Sequence, residues 1–119
     1  MDKDLLRSNM ITRVAMAAMD GATDLDQRIG ILVNVLVTIH NECKAYDPLT
    51  RLEKLKYSQC TSVALMHIFL ERYGIGNLIE VLGKSIEILG EPLVLDTTIL
   101  NALNAAGANI TNVKDIRYD

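Results

Sequence analysis

His40, Cys43, Cys60 and His67 are the residues of this sequence with the most chemistry to offer. On paper they form a Cys2His2 set, the donor types that hold a tetrahedral zinc ion. Their spacing argues against it. Read as two helices folded back on each other at a turn near Pro48, the chain sets His40 roughly opposite Lys56 and Cys60 roughly opposite Leu36. His67 then lies about 10 Å beyond Cys60 along its helix, at ~1.5 Å per residue. Four ligands cannot be gathered within ~2.3 Å of one ion from those positions. His40 with Cys43 makes half a site, and a partner would have to supply the rest. Core or half-buried roles are the alternative for all four, and no metal is expected.

Nucleophilic catalysis needs a thiol or hydroxyl within hydrogen-bond reach of a base. Cys60 and His67 share a helix face but sit two turns apart, and Ser58, Thr61 and Ser62 have no histidine within one turn. Glu42, Glu53, Glu71, Glu80 and Glu87 form no carboxylate pair at i,i+3 or i,i+4, and the Glu-x-x-His pattern of helical metal sites is missing. Gly74-Ile75-Gly76 reads as a helix end, not a phosphate-cradling loop. The expectation is a non-enzymatic protein without a cofactor.

Positive charge gathers at one place. Lys44, Arg51, Lys54 and Lys56 cluster with Tyr46 and Tyr57 around the turn at Pro48. Arg51 falls in the first turn of a helix, where free backbone amides favour anions. Several copies brought together by symmetry would make a pocket for an anionic molecule such as a nucleotide. The plainer reading is a solvated helix start whose lysine stems lie along apolar surface. Gln59, Ser58, Thr61 and Ser62 add a mid-helix polar group that needs hydrogen-bond partners if buried.

The elements that position these residues follow from composition and spacing. One hundred and nineteen residues, half of them hydrophobic, suit a single domain over residues 1–119 and exclude intrinsic disorder. Aromatic residues are 4% and tryptophan is missing, so the core must be aliphatic. A net charge of -3 argues against nucleic acid, whose binding is mostly cationic contact with phosphate. Two cysteines are too few for a disulfide scaffold, and the acidic start Met-Asp-Lys-Asp leads into no secretory apolar run. No segment approaches the ~20 apolar residues of a membrane span. These features predict a soluble cytoplasmic protein with free thiols.

Five helices are predicted. The first runs from Asp4 to Met19, ended by a left-handed Gly21; its apolar face is diffuse, with Leu6, Met10, Val14 and Ala17 on one side and Ile11, Ala15 and Ala18 on another. The second is capped by Thr23 with Asp26 in the box position and runs to Ala45. Leu25, Ile29, Leu32, Leu36, Ile39 and Cys43 keep to one line at the helical period, leaving a narrow stripe of Gly30, Asn34, Thr38 and Asn41. A strand over 29–39 is the rival reading, from the β-branched residues there. Tyr46-Asp47-Pro48-Leu49 breaks the chain. Thr50 with Glu53 caps the third helix, which stops at Gly74; Leu52, Leu55, Gln59, Ser62, Val63, Met66 and Leu70 form its main face, with Leu65 and Ile68 opposite. Asn77 with Glu80 caps the fourth, ended by Gly90, with Leu78, Leu82, Ile86 and Leu89 inward. Leu93–Leu95 reads as extended, Asp96 caps the fifth helix, and Gly107 ends it. Ile110, Val113 and Ile116 mark an irregular or edge-pairing C-terminal tail.

The expected fold is therefore an all-α bundle of about five helices around a central antiparallel hairpin. Helices two and three carry no formal charge for three turns or more, a surplus of apolar circumference for one small chain to hide. This predicts self-association into a dimer or higher symmetric oligomer, with Ile31, Val35, Leu65 and Ile68 at the interface, in a protein that acts by binding another protein. The alternatives are that helices one and five wrap both sides, and that the chain sequesters a small anionic ligand at the basic cluster. Small helical chains without signature motifs also suit accessory roles in phages or mobile elements.

Overall fold

Between Arg28 and Glu42 the chain carries no charge, and this stretch becomes the middle of the molecule. The computed structural model describes residues 3–44, 48–91, 93–108 and 113–116, with side chains described for 9–42, 61–91, 93 and 95–108. In order, the elements are α1 (Lys3–Gly21), α2 (Leu25–Lys44), α3 (Pro48–Tyr73), α4 (Ile75–Leu89), β1 (Leu93–Asp96), α5 (Thr97–Ala105) and β2 (Val113–Ile116). The fold is all-α. Helix α2 packs against α1, α3 and α4, and α2 and α3 form the central hairpin across residues 45–47.

The helical line predicted for α2 is the buried one: Ile29, Leu32, Leu36 and Ile39 are all at 5% exposure or below. The stripe of Gly30, Asn34, Thr38 and Asn41 faces out. A strand would have sent alternate residues to opposite faces, so the strand reading of 29–39 is displaced by the 3.6-residue period. Each large aliphatic side chain buried along α2 contributes about 1.5–3 kcal/mol.

Four helix ends differ from expectation, each for a local reason. Gly21 is the last residue of α1 but is not left-handed; the positive-φ glycines among the described residues are Gly74, Gly90 and Gly107. At α1 the terminal carbonyls are satisfied otherwise. Arg28 Nε donates to Met19 O at 3.1 Å and Arg28 Nη2 to Ala22 O at 3.2 Å. Asp24, not Thr23, caps α2: its Oδ1 accepts from Gln27 N at 2.8 Å, while Gln27 Oε1 accepts from Thr23 N at 3.0 Å. Helix α3 starts at Pro48 rather than after Thr50, since proline's fixed φ and missing N–H suit a first helical position. Asn77 lies inside α4, its Nδ2 donating to Tyr73 O at 2.7 Å. Gly74, at φ 87°, turns the chain so sharply that α4 begins at the next residue.

The remaining ends are as predicted. Gly90 closes α4 in the left-handed conformation at φ 64°. Asp96 caps α5, accepting from Ile99 N at 3.0 Å. Gly107 follows α5 at φ 72°, with the Ala108 amide returning to Leu103 O at 3.0 Å. Glu80 and Lys84 pair along α4 at 3.1 Å. The extended stretch at 93–95 belongs to β1, which pairs in parallel with β2 from Leu93↔Val113 to Asp96↔Ile116. Helix α5 is the crossover that such a parallel pair requires. The edge-pairing tail thus has a partner at Val113 and Ile116, while Ile110 lies outside the described residues.

Gly83 sits in the middle of α4, exposed, where an added Cβ meets nothing within 4 Å. Gly83→Ala is expected to stabilise the protein by about 0.5–1 kcal/mol, through the unfolded chain's lost freedom. Thermal melts check this; an unchanged or lowered midpoint contradicts it.

Candidate functional site

The two histidines go to different places. His40 Nε2, on α2, donates to Glu91 Oε2 at 2.8 Å, just beyond α4. His67 Nε2, on α3, donates to Asp96 Oδ2 at 2.6 Å, at the end of β1. The two contacts tie both ends of the segment 91–96 to the central hairpin. Asp96 is doubly engaged, since its other oxygen caps α5. A histidine oriented by a carboxylate is half of an acid–base dyad, but neither ring has a further hydrogen bond to a described hydroxyl or thiol. Among the described residues no group of three His, Cys, Asp or Glu is placed to hold a metal ion. The side chains of Cys43 and Cys60 lie outside the described residues.

So does the basic cluster. Tyr46 is outside the described residues altogether, and Lys44, Arg51, Lys54, Lys56 and Tyr57 are described only as positions in α2 and α3. Of the mid-helix polar residues, Thr61 is buried and engaged, and Ser62 is half-buried. Buried Ser85 donates to Val81 O at 2.8 Å, one turn back, so it too has a partner.

The predicted interface residues divide. Leu65 is at 0% exposure inside the protomer's own core, which corrects the expectation that it faces a second copy. The reason is that α3 meets α1, α2, α4 and β1, so the side of α3 that carries Leu65 is enclosed within one chain. Ile31, Val35 and Ile68 are half-buried. Phe69, also at 0%, was not part of the predicted main face of α3 although it lies one turn from Leu65.

The apolar surface left outside sits elsewhere. Among the described residues the large exposed hydrophobics are Met10 at 63%, Val14 at 68% and Ile88 at 62%. Ile88 stands alone on α4, and single exposed apolar residues are ordinary. Met10 and Val14 are one turn apart on α1, and exposed Ala17 and Ala18 extend their side of the helix. Beside them is an open cleft of about 270 Å³, lined by Ile11 from α1 and by Asn34, Val35, Thr38, Ile39 and Glu42 from α2. At ~100° per residue, Ile11, Ala18, Val14 and Met10 follow one another around α1 within about 100°. Ridge and cleft are therefore one continuous apolar surface, edged by the polar stripe of α2. Met10 and Val14, on one side of α1 by sequence, thus join Ile11 from the other; periodicity alone does not say which side is covered.

Among the described residues no helix is long and apolar enough to cross a membrane. Comparison of the chain with protein families, with curated proteins and with solved structures finds no match.

Proposed function

We propose that this chain is a self-associating, non-enzymatic helical protein that acts by binding protein, and that the α1–α2 face is its docking surface. The carrying observation is the pair Met10 and Val14, exposed side by side next to an apolar cleft. Apolar residues in one contiguous patch gain about 25 cal/mol for each Å² taken from water, a gain that scattered ones do not offer a partner. The surface differs from the one the bare sequence suggests: among the described residues, the adjacent exposed apolar pair lies on α1 rather than on α3. The same reading places the protein in the reducing cytoplasm with its cysteines as thiols.

Sedimentation velocity at low micromolar concentration tests this. The wild-type chain is expected to run as a dimer or larger. Met10→Lys with Val14→Lys is expected to run as a monomer with unchanged helical circular dichroism, because both side chains are outside the core. A wild-type monomer at tens of micromolar removes the self-association.

A further inference from the structure

We draw no further inference here: the strongest candidate, the apolar cleft between α1 and α2 beside exposed Met10 and Val14, carries none, because nothing in the structure shows what covers it.

Discussion

Phe69→Ala is expected to destabilise the protein by about 3–5 kcal/mol, the range for emptying a large aromatic from a packed core. Phe69 is the chain's sole phenylalanine and is at 0% exposure. It sits on α3, whose flanks meet α1, α2, α4 and β1. Its ring lies 4.8 Å from that of Tyr73 at an interplanar angle of 55°, a tilted arrangement that aromatic pairs favour. The Arg28 guanidinium stands 5.4 Å from the Tyr73 ring centre, and the same side chain holds the last carbonyls of α1. Truncation at 69 therefore opens a cavity and also loosens the support of the α1–α2 turn. Against a typical domain stability of about 5–15 kcal/mol the loss is large. A chemical-denaturation midpoint should fall steeply with little change in slope, while Phe69→Leu should cost only about 1–1.5 kcal/mol. A loss below about 1 kcal/mol for the alanine variant would show that Phe69 is not in the centre of the core.

Asp96→Ala is expected to cost about 2 kcal/mol, because one carboxylate performs two tasks. Loss of the α5 cap is worth about 1 kcal/mol. Loss of the hydrogen bond from His67 adds about 1 kcal/mol, kept modest because the ring is partly solvated. The two parts separate by substitution. Asp96→Ser retains a capping oxygen but not the reach to His67, so it should cost about half as much. His67→Ala should cost a similar half, and a double-mutant cycle between 67 and 96 should show coupling of about 1 kcal/mol. Hydrogen exchange adds a location: amides of β1 and α5 should lose protection before those of α2. Equal and negligible effects of the alanine and serine variants at 96 would refute both roles.

The candidate surface was only partly legible in the sequence. Val35, one of the expected interface residues, lines the cleft together with Asn34 and Thr38 of the polar stripe, whereas Ile31 does not. Met10 and Val14 were recognised as sharing a side of α1, but a helix with apolar residues all round gives no sign of which side its neighbours cover. Leu65 was assigned outward for the same reason. Once a face of α3 had been anchored on Leu52 and Leu55, its opposite side looked surplus, whereas other elements of the chain enclose it. By donor type His40 and His67 go with Cys43 and Cys60, yet their partners are carboxylates 51 and 29 residues away.

What the sequence determined by itself is local: the helical period of α2 and the amphipathic face of α4, the helix-ending glycines at 74, 90 and 107, the Asp96 cap, and the extended segment before it. These depend on interactions within about four residues and on the φ angles a residue tolerates, so they are written in spacing and residue type. Tertiary structure decided the rest. It chose which sides of α1 and α3 are enclosed, joined Leu93–Asp96 to Val113–Ile116 in parallel, and tied both histidines to the segment 91–96. Burial of a face depends on what arrives from distant parts of the chain, and no local pattern carries that.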